Sequence, residues 1–266
     1  MITLSSMNNK IEFKQWVFPG GEVGVQLPED LDKYSIYTVQ MDFKDSSDIF
    51  VLMNVCNALE ELNVLRQNII CEIPYFPYAR QDRICSKGES FALRIVVEML
   101  SNLYCSQIYV QDVHSEVTLR LFREYGIKYW NKPQDLCARF LPEFNFLIAP
   151  DKGAVEKAKL HKQVLHGDTE LLFMSKERKD NQIIYTDYAY DTISGSVCVV
   201  DDLCDAGGTF LALGEMLQRT QPNITSLNLY VTHAIMGKGT QELKKFYSTI
   251  YIHNLMNPSV TDVTLV

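Results

Sequence analysis

Short apolar runs alternate with helix-like stretches along most of the chain, and this alternation constrains the fold more than any other feature. Buried parallel strands are continuous apolar runs, and intervening helices connect strands that run in the same direction. The predicted strands are NIICEIPYF, QIYVQDVH, FNFLIAPD, SVCVVDD, SLNLYVTHAI and STIYIHNL, and the predicted helices are SFALRIVVEMLSNL, EVTLRLFREYG, GAVEKAKLHKQ, GTFLALGEMLQRT and TQELKKFYST. We therefore predict an α/β protein with mostly parallel sheets flanked by helices.

The alternation breaks near Asn131–Pro142, where the stretch NKPQDLCARFLP carries two prolines. This break predicts two domains, residues 1–133 and 134–266. The two halves share an outline in which a strand ends in polar residues and a turn and a helix follow. In open α/β sheets, ligands bind beyond the carboxyl ends of the strands, so those polar residues are the candidates for a site.

Composition excludes several classes of protein. The chain of 266 residues has a formal net charge of −8, which argues against nucleic acid as the main partner because phosphate backbones demand a basic surface. The first ten residues lack a signal-peptide pattern, and no apolar run is long enough for a membrane helix, so neither a secretory signal nor a membrane span is expected. Seven cysteines occur without a C-x-x-C pair, so neither a disulfide framework nor a structural zinc site is predicted. These features predict a cytoplasmic protein.

The most informative motif runs from Val197 to Phe210. A buried strand leads to two consecutive carboxylates, and a glycine-containing loop and an apolar helix follow. Glycines let backbone N–H groups converge on an anion, and the helix N-terminus adds positive charge. Carboxylates beside a phosphate site require hydroxyls or a metal ion as partners, and the hydroxyls of a ribose meet this requirement. The alternative is that the segment is only a tight strand–helix turn with capping residues. The candidate ribose-phosphate residues are Asp201, Asp202, Asp205, Ala206, Gly207, Gly208 and Thr209.

Three other segments carry candidate polar residues. Arginine is suited to phosphate and glutamine to a base, so the run Arg80, Gln81, Asp82 and Arg83 after a strand indicates a polyanion site, although a solvated face is the alternative. His114 follows Asp112 at a strand end, and Asp151 follows another strand. Lys176 and Arg178 lie in FMSKERKDNQ, which is typical of a solvated loop.

Several of these segments resemble the ribose-phosphate diphosphokinase family. The motif from Val197 to Phe210 is similar to the phosphoribosyl-pyrophosphate loop of that family and of type I phosphoribosyltransferases. IPYFPYARQDR looks like the ATP-binding segment of the diphosphokinases alone. FPGGEVGVQL, QDVH, APDKGA, SKER and LYVTHAI follow the family pattern in order. The resemblance covers nearly the whole chain.

The resemblance implies two phosphoribosyltransferase-type domains, the first binding ATP and the second binding ribose phosphate. It implies magnesium-dependent transfer of the β,γ-diphosphoryl group of ATP to the 1-hydroxyl of ribose 5-phosphate. A homo-oligomer, at least a dimer, is implied because the FPGGE turn of this family reaches the ATP of a neighbouring subunit. The implied roles are catalysis for Lys176 and Arg178 on a mobile loop, metal binding for His114 and Asp151, and ATP binding for Phe18, Gly20, Glu22, Arg80, Gln81, Asp82, Arg83 and His114.

The sequence departs from the family pattern in four places. Gly20 stands where the family usually has aspartate, and Ala206 where it has threonine. ICSKGES lacks the usual basic pattern, and the chain ends roughly thirty residues early by the family layout. The missing threonine raises the alternative of a substituted acceptor such as ADP-ribose, which would serve NAD resynthesis. A non-catalytic nucleotide-binding homologue and a base-using phosphoribosyltransferase are further alternatives.

Overall fold

The computed structural model describes residues 1–7, 9–133, 139–164, 168–179, 182–187 and 192–266. The chain divides into two compact units, Met1–Lys132 and Pro133–Val266. Each unit has a six-stranded sheet and a hydrophobic core, and most of the strand pairs in the two sheets are parallel. The predicted α/β class with mostly parallel, helix-flanked sheets is confirmed. No helix within the described ranges is both long enough and apolar enough to span a membrane.

The first unit is built on a sheet with the strand order β2-β1-β5-β6-β7-β8. Strands β5 to β8 are parallel, whereas β1 is antiparallel to both of its neighbours. The strands are β1 Ile2–Ser6, β2 Asn9–Ile11, β5 Tyr37–Met41, β6 Ile69–Ile73, β7 Gln107–Gln111 and β8 Tyr129–Lys132, with a separate antiparallel hairpin of β3 Lys14–Val17 and β4 Val23–Gln26. The helices are α1 Ser47–Glu61, α2 Ala92–Ser101 and α3 Glu116–Glu124.

Alternating burial explains why the first sheet is stable. In β5 and β6 every second side chain is fully covered, and α1 buries one face that includes Leu52, Val55 and Leu59. Full burial of such a side chain contributes about 1.5–3 kcal/mol. The apolar-run pattern predicted no element before Asn68, so β1 to β5 and α1 were not predicted.

The second unit has an entirely parallel sheet with the order β10-β9-β13-β14-β15-β16. Its strands are β9 Phe146–Ala149, β10 Glu170–Phe173, β13 Gly195–Cys204, β14 Ile224–Ala234, β15 Thr249–Leu255 and β16 Thr264–Leu265. Within the described residues of this unit, the α-helices are α4 Val155–Val164 and α5 Gly208–Thr220. Strand β11 Ser175–Lys179 pairs with β12 Gln182–Asp187 in an antiparallel hairpin.

Two local predictions were wrong in the second unit. The predicted helix TQELKKFYST contains only a 3-10 turn at Leu243–Lys245, because Leu243 and Tyr247 are buried and the Tyr247 hydroxyl donates to the Phe210 carbonyl at 2.8 Å. The segment with Lys176 was predicted as a loop, but it is strand β11, because its backbone pairs with β12. The register of this pairing shifts between Ser175 and Lys176.

Candidate functional site

In the first unit, the turn after β6 presents a run of polar side chains. Phe76 and Ala79 are buried and anchor the turn in the core, and the Phe76 ring packs edge-on against Phe122 at 5.0 Å. Tyr78 has a positive φ of 60°, which reverses the chain before the polar run. Arg80, Gln81 and Arg83 are exposed as a result. The turn thus exposes three of the four residues predicted to bind a polyanion, while buried side chains anchor it in the core.

Asp82 connects this turn to the next strand–helix junction. Its carboxylate accepts a hydrogen bond from the Ser115 hydroxyl at 2.7 Å. Ser115 is the N-cap of α3 and accepts from the Val117 amide at 3.2 Å. The predicted ATP residue Asp82 therefore fixes the position of a helix N-terminus, and it brings the Arg80 turn next to the segment that carries His114.

The segment after β7 has a constrained backbone. Asp112 is buried and has a positive φ of 38°, and its amide donates to the Lys132 carbonyl at 2.7 Å. His114, two residues further on, is exposed just before the N-cap of α3. A positive φ at a non-glycine residue stores strain that surrounding contacts must sustain, and such strain is common at functional sites.

The β3–β4 hairpin carries the predicted adenine turn. The Phe18 amide donates to the Glu22 carbonyl and the Gly21 amide to the Phe18 carbonyl, both at 2.8 Å. Phe18 is half exposed and packs edge-on against Trp16 at 5.9 Å. A Cβ on Gly20 would meet the Glu22 carboxylate. Glycine at this position therefore leaves the carboxylate room to fold back over the turn.

In the second unit, Asp151 begins a 3-10 turn directly after β9. Its Oδ1 accepts from the amides of Gly153 and Ala154 at 2.8 and 3.2 Å. Its Oδ2 forms an ion pair with Lys176 at 2.6 Å. One carboxylate oxygen is therefore fixed by the backbone, and the other is held by a lysine from another strand.

The glycine loop follows β13, which is longer than predicted and continues through both aspartates to Cys204. Gly207 has a positive φ of 80° and is the N-cap of α5. A Cβ there would also approach Leu243 at 3.3 Å, so both backbone and space favour glycine. Asp205 and Ala206 lie in the loop, and Gly208 has open space around its Cα. Thr209 is the second residue of α5, so Gly207 and not Thr209 caps this helix.

Lys176 joins two predicted parts of the site. Besides its ion pair with Asp151, its ammonium donates to the Thr209 hydroxyl at 3.1 Å. The Tyr185 hydroxyl, from the strand paired with β11, donates to the Thr209 carbonyl at 3.2 Å. A lysine that the sequence assigned to catalysis therefore contacts both the glycine loop and the Asp151 turn. The backbone of Arg178 lies in the same strand, and its side chain is outside the described residues.

Carboxylates crowd this end of the second sheet. The pKa of Asp201 is raised well above its usual range, first by burial, then by Asp202 and then by Asp151. Burial, together with Asp151 and Asp201, likewise raises the pKa of Tyr185. Burial is the main cause of both shifts, and the neighbouring carboxylates add to it because they oppose a further negative charge.

Sequence reasoning missed Lys157 on α4. Its ammonium lies 3.2 Å from the Asp202 carboxylate, and both side chains are largely buried. One turn further along α4, His161 is buried, packs edge-on against Tyr230 at 4.9 Å and has its pKa lowered to about 3 by burial and by Lys157. The sequence carries no local signal for this ion pair, because Lys157 and Asp202 are far apart in the chain.

The described part of the chain contains no group of three or more histidine, cysteine, aspartate or glutamate side chains placed to hold a metal ion. His114 lies in the first unit and Asp151 in the second. The two predicted metal ligands therefore lie in different units, and their role stays a prediction.

Comparison with known proteins identifies the family. The model of the N-terminal domain of ribose phosphate pyrophosphokinase matches residues 5–103. A ribose-phosphate pyrophosphokinase of Pyrococcus furiosus is 30% identical over 260 residues, which cover 96% of this chain and 89% of that protein. The chain belongs to the ribose-phosphate pyrophosphokinase family. The enzyme of this name from Vibrio vulnificus (strain YJ016) is 28% identical over 234 residues, covering 85% of this chain and 73% of that protein.

A solved structure has the same fold as this chain. Phosphoribosylpyrophosphate synthetase from Mycobacterium smegmatis aligns with a TM-score of 0.75 at 19% identity, covering 96% of this chain and 86% of that one. The predicted family, and with it the predicted class of enzyme, a diphosphotransferase, is confirmed.

Proposed function

We propose that this pyrophosphokinase transfers the β,γ-diphosphoryl group of ATP to the 1-hydroxyl of ribose 5-phosphate, giving phosphoribosyl pyrophosphate and AMP. In this reaction the hydroxyl oxygen attacks the β-phosphorus, and the bond from that phosphorus to the α–β bridging oxygen breaks. The names of the relatives from Pyrococcus and Vibrio support this reaction. The contact of Lys176 with both Asp151 and Thr209 is the observation that carries the proposal.

The second unit supplies the acceptor site in this proposal. The amides at the start of α5 and the φ of Gly207 suit the 5-phosphate, because helix N-termini bind anions. Asp201 and Asp202 accept hydrogen bonds from the ribose hydroxyls. Lys157 holds Asp202 in place through its ion pair.

Lys176 stabilises the charge that develops on the transferring group. Displacement at phosphorus spreads negative charge over non-bridging oxygens, and a positioned cation lowers that barrier. The ammonium is within 3.1 Å of the Thr209 hydroxyl, so it lies at the edge of the phosphate cradle before substrate arrives. Arg178 is proposed as a second cation for the same charge.

The first unit supplies the ATP site in this proposal. Arg80 and Arg83 are exposed on a turn anchored by buried aromatic and alanine side chains, which suits a polyphosphate. Gln81, Asp82 and His114 lie on the same two strand ends. Phe18, Gly20 and Glu22 form the base-recognition turn, and a second copy of the chain is proposed to receive it.

Magnesium fits the donor chemistry of these residues. Enzymes of this family are metal-dependent in general, and Mg²⁺ is usually held by one or two carboxylates together with substrate phosphates. The crowded carboxylates Asp151, Asp201 and Asp202 offer such oxygens. When bound, the ion would neutralise phosphate charge. His114 and Asp151 are the proposed protein ligands, and Asp151 would first release Lys176.

The acceptor is tested by comparing ribose 5-phosphate with ADP-ribose. Purified protein, ATP and Mg²⁺ are incubated with each acceptor, and AMP and the acceptor product are quantified by chromatography. AMP formed with ribose 5-phosphate supports the proposal. If AMP formed only with ADP-ribose, ADP-ribose and not ribose 5-phosphate would be the acceptor. If the protein bound ATP but released no AMP with either acceptor, the non-catalytic alternative would be supported.

A further inference from the structure

The hairpin of β11 and β12 carries Lys176, the lysine that the proposed reaction uses. Its two strands form a sheet of their own, separate from the six-stranded sheet of the second unit. Lys176 on β11 lies directly opposite Tyr185 on β12 in this antiparallel pair. Whatever fastens the hairpin to the rest of the unit therefore also decides where the lysine ammonium lies.

Both members of this cross-strand pair contact Thr209, the second residue of α5. The Lys176 ammonium donates to the Thr209 hydroxyl at 3.1 Å, and the Tyr185 hydroxyl donates to the Thr209 carbonyl at 3.2 Å. The lysine contact must break when the ammonium moves to a substrate. The tyrosine contact can remain, because neither its hydroxyl nor the carbonyl is proposed to bind substrate.

Tyr185 is well suited to hold the hairpin in place. Its side chain is buried in the same hydrophobic cluster as Phe210 of α5 and Tyr247. Burial, followed by the charges of Asp151 and Asp201, raises the pKa of Tyr185, so the hydroxyl keeps its proton at neutral pH and remains a donor. A buried hydroxyl that lost its acceptor would be left unsatisfied, and this cost disfavours detachment of β12.

A second tyrosine makes the same kind of hydrogen bond from outside the hairpin. The Tyr247 hydroxyl donates at 2.8 Å to the carbonyl of Phe210, the residue after Thr209. Tyr247 is also buried, but it follows the 3-10 turn Leu243–Lys245 and does not lie on β12. Two tyrosines thus hold the first turn of α5, and Tyr185 is the one that links this turn to the strand opposite Lys176.

We propose that Tyr185 is a positioning residue, which fastens the hairpin to the first turn of α5 and so places the Lys176 ammonium beside the glycine loop. Because this role rests on the proposed function, in which Lys176 stabilises the transferring group, Tyr185 acts through the lysine and does not contact substrate. Without the hydroxyl, the hairpin detaches more often, and the ammonium is placed for transfer less often.

The first test compares Tyr185→Phe with the matched control Tyr247→Phe. Each change keeps the ring and removes one hydroxyl that donates to a carbonyl in the first turn of α5. Tyr185→Phe is expected to lower kcat by roughly 3–10-fold, the range for the loss of one neutral hydrogen bond, and to leave the KM for ATP unchanged. Tyr247→Phe is expected to keep the natural kcat. Equal kcat values for the two variants would overturn the proposal.

A double-mutant cycle tests whether Tyr185 acts through Lys176. When Lys176 is already alanine, adding Tyr185→Phe is expected to change kcat by less than about twofold, since residues that act as a unit are not additive. A purely structural role of the tyrosine would lower kcat equally with and without the lysine. That result would overturn the proposal.

Limited digestion with trypsin tests the attachment without an activity assay. The Lys176 side chain is only 18% exposed, so trypsin must wait for the hairpin to open before it cleaves after this residue. Initial cleavage there, mapped by mass spectrometry on the ligand-free full chain, is expected to be roughly 3–10-fold faster in Tyr185→Phe and unchanged in Tyr247→Phe.

The digestion also separates this proposal from the proposed function. If neither ribose 5-phosphate nor ADP-ribose gave AMP, the proposed function would fail, and the cleavage rates would still decide whether Tyr185 fastens the hairpin. A natural rate of cleavage after Lys176 in Tyr185→Phe would overturn the proposal. Urea unfolding of both phenylalanine variants checks that the comparison is made on folded protein.

Discussion

The two units present opposite kinds of charge at the ends of their sheets. In the first unit, exposed arginines extend from a turn whose anchors are apolar and buried. In the second unit, partly or largely buried carboxylates are already paired with lysines, Asp151 with Lys176 and Asp202 with Lys157. The proposed polyanion site is therefore open to solvent, whereas the carboxylates proposed to bind the ribose hydroxyls keep their charge within the fold through ion pairs with lysines.

The largest expected effect is on the lysine that links the carboxylates to the glycine loop. Lys176→Ala should lower kcat by about 10²–10³-fold, because it removes a cation placed for the transition state, while ATP binding survives. Steady-state kinetics and a direct ATP-binding measurement check this. Lys152→Ala is the control, since that exposed lysine follows Asp151 directly in the chain. Unchanged turnover in Lys176→Ala would remove this residue from the mechanism.

The exposed arginines of the first unit should affect binding instead. Arg80→Ala should raise the KM for ATP by roughly 10–100-fold, since a hydrogen bond to a charged group contributes about 1.5–3 kcal/mol. The KM for the acceptor should stay near its original value. Arg120→Ala, on an exposed arginine of α3, is the control. If Arg80→Ala changed only the acceptor KM, the assignment of ATP to the first unit would be wrong.

The buried His161 side chain should make the stability of the second unit depend on pH. The pKa of His161 is lowered to about 3 in the folded chain, against about 6.5 when unfolded. As pH falls below 6.5 the unfolded state takes up a proton that the folded state refuses, so stability decreases. At pH 5 the loss relative to pH 7 is about 2 kcal/mol. His161→Phe should lose this contribution, as measured by urea unfolding at both pH values.

One result would contradict the predicted titration of His161. An equal loss of stability between pH 7 and pH 5 in His161→Phe and in the natural chain would mean that His161 is protonated in the fold. The edge-on packing against Tyr230 is retained by phenylalanine, so the variant separates titration from packing.

The smallest expected effect is on Asp201, a carboxylate that lowers the stability of the ligand-free protein. Asp201 has a raised pKa because of burial and of its acidic neighbours. Asp201→Asn should therefore raise the stability of the ligand-free protein by about 1 kcal/mol while it lowers activity. Thermal unfolding without ligand checks the first effect. A variant that is less stable without ligand would show that Asp201 already has sufficient compensation in the fold.

The polar residues at the strand ends could be predicted because their signals are local. Asp201 and Asp202 end an apolar run and precede two glycines, and Arg80 follows another apolar run. The φ of Gly207 and the exposure of Arg80 agree with the pattern. Such signals depend on a few neighbouring residues, which a single sequence displays directly.

The contacts that join distant segments could not be predicted in this way. Lys157 reaches Asp202 from another element, and Tyr185 reaches Thr209 from a hairpin strand that the sequence did not predict. The sulfurs of Cys56 and Cys71, from a helix and a strand, lie 3.5 Å apart, although their spacing in the sequence carries no motif. These pairs result from tertiary packing, which neither periodicity nor propensity encodes.

The central claim is that the β,γ-diphosphoryl group is transferred from ATP in one piece to the 1-hydroxyl of the ribose. The most direct measurement uses ATP labelled at the β-phosphorus, with Mg²⁺ and ribose 5-phosphate, and follows the label by chromatography and phosphorus NMR. We predict that the label appears in a diphosphate attached through oxygen to C1 of ribose, with one AMP formed for each product. Label that is found in ADP or in free pyrophosphate would contradict the account.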